Sequence, residues 1–128
     1  MAQLAVGQPA PGFTLNASGG SSISLSDVLG KKVVLYFYPK DDTPGCTKEA
    51  CAFQEGRSRW EQEAVILGVS GDDVASHERF ARKFNLTFPL LSDPDRRVCK
   101  AYGVYKQKSL YGRTFLGIER TTFLIDEQ

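Results

Sequence analysis

The chain has 128 residues, 41% hydrophobic and 24% charged, a composition that suits one folded domain and excludes disordered or collagen-like order. Its 16 basic and 15 acidic residues leave a net charge of +1, so no global field draws it to nucleic acid or to an anionic membrane. The longest apolar runs, Val33–Tyr38 and Ala64–Val69, are far too short for a transmembrane helix, and no basic flank followed by an apolar stretch marks a secretory leader.

Taken in chain order, an irregular lead-in from Gly7 runs into Phe13–Leu15. This segment and Ile23–Leu25 alternate apolar and polar residues around Gly19-Gly20, which predicts a hairpin. Ser26–Leu29 predicts a turn of helix stopped by Gly30. The run Val33–Tyr38 is rich in β-branched and aromatic residues and predicts a buried parallel strand. After the turn-forming residues 39–45, a helix is expected from about Cys46 to Glu63. Ala50, Cys51, Phe53, Trp60 and Ala64 lie on or near its inner face, and Gly56 weakens it midway. Ala64–Ser70 predicts a second buried strand, and Asp72 or Asp73 caps a helix Val74–Phe84.

Phe88–Leu91 predicts a short strand, with Pro89 at an edge or an entry position. A helix opening at Ser92 or Asp93 with Pro94 runs to about Tyr102 and stops at Gly103. Residues 103–120 are expected to form a long connection, and Thr121–Ile125 a last strand. This alternation predicts an α/β domain with a parallel or mixed sheet covered on both faces. From Arg96 to Arg120 basic residues dominate, and a solvated face is the plain reading, a docking face for an acidic partner the sharper one.

Chemistry concentrates at the cysteines, Cys46, Cys51 and Cys99. An odd, sparse count argues against a disulfide-stapled secreted scaffold and leaves metal binding, redox chemistry or core packing. Cys46 falls where a strand turns into a helix, a position at which ligands bind in open parallel sheets. Unpartnered amides and the positive end of the helix dipole favour a thiolate there, and the thiolate is the nucleophile. Asp41, Asp42 and Glu49 oppose a negative sulfur, while Lys40 and Lys48 favour one. A reactive Cys46 therefore needs another cation from a distant segment, and Arg113 and Arg120 are candidates. Cys51 lies five residues on, so in a continuous helix the two Cα atoms stand roughly 8.6 Å apart. That exceeds disulfide reach, and a bridge requires the first turns to unwind.

The segment Pro39-Lys-Asp-Asp-Thr43-Pro-Gly-Cys46-Thr-Lys-Glu49-Ala-Cys51 resembles the Pro-x-x-x-Thr-x-x-Cys signature of peroxiredoxins, and its cysteine spacing resembles the peroxiredoxin Q, or bacterioferritin comigratory protein, branch. Pro9–Leu15, Gly68–Asp72, Phe88–Asp93 and Gly117–Asp126 extend the resemblance along nearly the whole chain. It implies a single thioredoxin-like domain over 1–128, short at its C-terminus by the strand and helix that family members usually add. It implies a thiol peroxidase acting on hydrogen peroxide and small organic hydroperoxides. Cys46 would be the peroxidatic cysteine and Cys51 the resolving one, closing an intrachain disulfide that a thioredoxin-type protein reduces. Arg120 would supply the distant cation, Thr43 would hydrogen-bond thiolate and peroxide, Pro39 would shield the pocket and Glu49 would orient the arginine. No metal or organic cofactor is needed, and no nucleic-acid or membrane partner is expected. A monomer is expected, with an oligomer open to a chain of this length. The setting is cytoplasmic, or a plastid if a transit peptide has been removed.

Gln54 departs from the family, which often has arginine there, and takes away a second arginine's support. Cys99 reads as packing, with a smaller share as an alternative resolving cysteine, and His77 as part of a solvated helix face. The rival functions are a thioredoxin-fold disulfide oxidoreductase, disfavoured by the absence of Cys-x-x-Cys, and a holdase-like binding module. A zinc site from Cys46, Cys51, His77 and Cys99 matches no common ligand spacing.

Overall fold

Successive residues of Val33–Tyr38 enter two different apolar layers, which is why the run can be apolar throughout. Val33, Leu35 and Phe37 join a core with Leu67, Val69, Leu91, Val98, Cys99 and Tyr102. Val34, Tyr36 and Tyr38 join another with Cys46, Ala50, Ile66, Phe80 and Leu90. The computed structural model describes residues 10–28, 30–56, 64–110 and 112–125.

Eight strands are described: β1 (Thr14–Ala17), β2 (Ser22–Ser24), β3 (Lys32–Phe37), β4 (Ala64–Ser70), β5 (Leu90–Ser92), β6 (Tyr105–Leu110), β7 (Arg113–Ile118) and β8 (Thr121–Ile125). The described helices are α1 (Pro44–Glu55), α2 (Val74–Phe84) and α3 (Arg97–Ala101), with a 3₁₀ turn at Leu25–Val28. Six strands form one sheet in the order β2-β1-β5-β4-β3-β8. β3 runs parallel to β4 and antiparallel to β8, so the sheet is mixed. α1 and α2 contribute Cys46, Ala50 and Phe80 to one layer. α3 contributes Val98 and Cys99 to the other. Helices therefore cover both faces, as the alternation predicts.

Several boundaries differ from the sequence reading. The N-terminal hairpin is present, but pairs Leu15 with Ile23 from Thr14 onward, and Leu25 is already in the 3₁₀ turn. α1 starts at Pro44, because proline suits the first helical position, and ends at Gly56 rather than running to Glu63. The rest of that span, with Trp60, lies outside the described residues. β5 begins after Pro89 and sits between β1 and β4, so the proline marks an entry and not an edge. The helix expected from Ser92 to Tyr102 shortens to Arg97–Ala101, because the Asp93 carboxylate accepts the amides of Val98 (3.3 Å) and Cys99 (2.8 Å) from beyond an intervening turn. The expected long connection is a β-hairpin, with Tyr105 opposite Ile118 and Leu110 opposite Arg113. Alternation of Lys106 and Lys108 with other residues leaves too weak an apolar signal for strands that, among the described residues, pair only with each other.

His77 is the largest correction. It is 0% exposed and holds the loop after β3 instead of facing water. Its Nε2 donates to the carbonyl of Leu91 at 2.8 Å, and its Nδ1 shares a hydrogen with Asp41 Oδ2 at 2.7 Å. Asp41 also accepts from the hydroxyls of Tyr38 (2.5 Å) and Ser76 (2.8 Å), while its amide donates to Asp72 at 2.8 Å. Burial, then the charge of Asp41, raises the Tyr38 pKa well above the phenolic value, so its hydroxyl stays a donor. This network ties the segment after β3 to α2 and to β5, where the apolar rows alone would leave it loose. Replacing His77 by leucine takes one buried partner from Asp41, leaving it the Tyr38 and Ser76 hydroxyls, and takes the ring donor from the Leu91 carbonyl, and should cost about 2–4 kcal/mol. Urea unfolding of His77→Leu measures this; a loss below ~0.5 kcal/mol would contradict the assignment.

Candidate active site

Strand register explains how a distant arginine reaches the helix. Thr121, the first residue of β8, pairs with Phe37, the last of β3. Arg120 therefore leaves the sheet at the same end at which β3 feeds the loop into α1. Cys46 occupies the third position of α1, after Pro44 and Gly45, in its first turn. The guanidinium closes the gap: Nη2 donates to Cys46 Sγ at 3.3 Å, and Nη1 meets Glu49 Oε1 at 2.9 Å. A Cβ at Gly45 would come within 3.1 Å of Arg120 Nη2, so glycine leaves room for the guanidinium beside the sulfur.

Arg120 is thus the distant cation that the sequence requires, while the side chain of Arg113 lies outside the described set. Burial alone would lower the Arg120 pKa; the hydrogen bond and charge at Cys46, and then those at Glu49, outweigh it and raise the value. The guanidinium is a permanent charge facing a sulfur that is only 1% exposed. Of the acids expected to oppose a negative sulfur, Asp41 faces His77, Tyr38 and Ser76, and Asp42 pairs with Lys83 at 2.9 Å on the exposed surface. An exposed pair of that kind contributes about 0–1 kcal/mol and leaves the site alone. Glu49 remains, and its charge is engaged with Arg120.

The other predicted residues fall around this centre. Thr43 is the residue before α1, and its hydroxyl donates to the carbonyl of Lys40 at 2.9 Å rather than to the sulfur. Pro39 is exposed at the end of β3. Cys51 is half-buried in the same unbroken helix as Cys46, and the three cysteines carry no disulfide. Cys99 is fully buried on α3 in the opposite layer, where burial first and then Asp93 push its thiol far above the usual range. A buried, neutral thiol fits the packing role. His77 spends both ring nitrogens on Asp41 and Leu91, and no cluster of metal-ligating side chains exists among the described residues.

Gln54 has a partner that the sequence did not disclose. Its carbonyl oxygen accepts from the Thr87 amide at 2.8 Å, and its amide nitrogen donates to the Thr87 hydroxyl at 2.9 Å. The C-terminal end of α1 is therefore tied to the segment that leads into β5, in place of a second arginine at the site. The departure of Gln54 from the resembled pattern named the position but not the contact.

The chain is also similar to known proteins. The model of the AhpC/TSA family matches residues 6–128. A Coxiella burnetii protein carrying the peroxiredoxin bcp name is 56% identical over 124 residues, covering 96% of this chain and 82% of that one. Peroxiredoxin Bcp of Bacillus subtilis is 48% identical over 96% of this chain and 79% of its own length. Among solved structures, a bacterioferritin comigratory protein of Xanthomonas campestris, described for its alkyl peroxide reduction activity, superposes with a TM-score of 0.85 at 45% identity, covering 90% of this chain and 74% of that one. Its fold is the thioredoxin-like one of the peroxiredoxins, and no helix among the described residues is long and apolar enough to cross a membrane. With this family match over most of its length, and a cysteine held against an arginine at a helix N-terminus, the chain belongs to the AhpC/TSA family and is a peroxiredoxin, a thiol peroxidase.

Proposed function

We propose that Cys46 is the peroxidatic nucleophile and that Cys51 resolves it through an intrachain disulfide. The observation that carries this reading is the Arg120 fork, one arm on Cys46 Sγ and the other on Glu49. The sulfur of ionised Cys46 attacks the distal oxygen of a hydroperoxide. An S–O bond forms, the O–O bond breaks, and the alcohol or water leaves with a proton. Negative charge spreads along the S–O–O line in that step, and donors already fixed beside it lower the barrier without reorganising. Arg120 is such a donor, and Glu49 keeps it from turning away. Thr43 joins as a second donor by rotating its hydroxyl from the Lys40 carbonyl. Pro39, at the rim, limits the water that reaches the sulfur.

In the second step the Cys51 sulfur attacks the sulfenic sulfur of Cys46. The S–S bond forms, the S–O bond breaks, and water leaves with the Cys51 proton. Both residues lie in α1, so its first turns must open before the sulfurs meet. A dithiol reductant of the thioredoxin type then supplies two electrons and two protons and restores both thiols. Hydrogen peroxide and small organic hydroperoxides suit a site at the N-terminus of a helix with the Arg120 guanidinium beside the sulfur. A reducing compartment such as the cytoplasm suits a pair that must be returned to thiols.

Peroxide consumption with thioredoxin as reductant tests the assignment. Cys46→Ser should fall to background, and full activity there would refute it. Cys51→Ser should react with peroxide once and then stop, accumulating a sulfenic acid; normal cycling would move resolution to Cys99 or to an external thiol. Hydrogen exchange supplies an independent check. Oxidation should strip protection from the amides of residues 46–53, and unchanged protection would contradict the opening of α1.

A further inference from the structure

Tyr36 stands apart from the other buried polar groups. Its side chain is 1% exposed, yet its hydroxyl has no hydrogen-bond partner among the described residues. Tyr38, two residues on, donates to Asp41, and Tyr102 donates to the Pro11 carbonyl. Such an orphaned donor is uncommon, because water satisfies it in any opened state and nothing replaces that water in the closed one.

The orphan lies directly beneath α1. The Tyr36 ring stacks on Phe53 of that helix at 4.6 Å, and shares one apolar layer with Cys46 and Ala50. It also stacks on Tyr38 at 5.4 Å and meets the edge of Phe88 at 6.0 Å, so its ring is held from several sides. The phenol end is held over Gly68: a Cβ there would come within 2.9 Å of the hydroxyl oxygen. Burial first, and then the charges of Glu49, Asp41, Cys46 and Cys51, raise its pKa well above the phenolic value, so the group remains a neutral hydroxyl that retains its hydrogen.

We propose that the unpartnered Tyr36 hydroxyl is a positioning device that biases α1 toward opening, and so sets how fast Cys51 reaches oxidised Cys46. The inference rests on the two-cysteine reading above. While α1 is wound, the hydroxyl is sealed without an acceptor. When the first turns open, backbone carbonyls lose their partners, among them Thr43 O, which holds the Thr47 amide at 2.8 Å in the wound form. One donor without a partner below then meets acceptors without partners above, or meets water. The closed form alone bears the desolvation cost, so the hydroxyl favours the open form by that amount. Tyr36 touches neither the peroxide oxygens nor the Arg120 fork in this account, and the first chemical step does not depend on it.

Tyr36→Phe removes the hydroxyl and keeps the stacked ring. Stopped-flow kinetics on the full-length, pre-reduced protein should show sulfenic acid forming at the wild-type rate. The following Cys46–Cys51 disulfide should form roughly tenfold more slowly. Excess peroxide should drive more of the variant to sulfinic acid, because its sulfenic acid lasts longer. Reduced Tyr36→Phe should also resist urea better than the wild type. Disulfide formation at or above the wild-type rate, or a less stable reduced protein, would overturn the proposal. If the wild type itself forms no Cys46–Cys51 disulfide, the two-cysteine reading fails instead, which mass spectrometry of the oxidised wild type distinguishes.

Discussion

Everything at this site depends on one contact across the chain, the guanidinium of Arg120 against the sulfur of Cys46. A cysteine at a helix N-terminus has a favourable dipole, but a dipole acts weakly beside nearby acids. The fold answers by placing a permanent cation on the sulfur and turning two of the acids elsewhere. β8 brings the arginine, since its pairing with β3 fixes Arg120 at the end of the sheet from which α1 departs. The Asp41–His77 network holds the intervening loop in place from below. Gly45 leaves the approach open. The antiparallel last strand, the buried histidine and the small residue before the cysteine are thus separate means to one geometry.

Much of this was legible in the sequence. Val33–Tyr38 and Ala64–Val69 are continuous apolar runs, and the strand expected over Thr121–Ile125 has those limits in the structure. Those strands are specified locally, by residues that can only be buried. The sequence leaves Asp72 and Asp73 both open as the cap, and it is Asp73 whose carboxylate acts within one turn, on the amide of Ser76. The need for a remote cation followed from counting charges around Cys46, and the family resemblance selected Arg120 over Arg113. What escaped the sequence is set by contacts between distant segments. His77 lies in Ser76-His-Glu-Arg79, a polar stretch that looks solvated until Asp41, 36 positions earlier, is placed beneath it. Among the described residues the β6–β7 hairpin pairs with no other strand, and it carries lysines, so no apolar alternation announces it. The Gln54–Thr87 contact spans 33 positions and needs only two polar side chains, which no periodicity marks.

The proposed two-cysteine mechanism places α1 under two opposed requirements. It must be wound to hold Cys46 against Arg120, and it must open for Cys51 to arrive. Its far end is fixed by Gln54 on Thr87, while its near end begins with proline and glycine, and the helix shares one apolar layer with Tyr36, whose hydroxyl has no partner among the described residues. A helix anchored at one end and lightly held at the other can alternate between these states without unfolding the sheet beneath it. The apolar layer shared by Val34, Tyr36, Ile66 and Leu90 supports the strands whichever state the helix adopts.

The most direct test of the account is the rate at which pre-reduced protein reacts with a single equivalent of hydrogen peroxide, compared among wild type, Arg120→Met and Arg120→Lys. Loss of the guanidinium removes a fixed donor from the developing charge, and Arg120→Met should react about 10²-fold more slowly. Arg120→Lys should recover only part of that loss, because one ammonium cannot hold Cys46 and Glu49 in the same fork. If Arg120→Met consumes peroxide at the wild-type rate, the cation on the sulfur is not what makes Cys46 reactive.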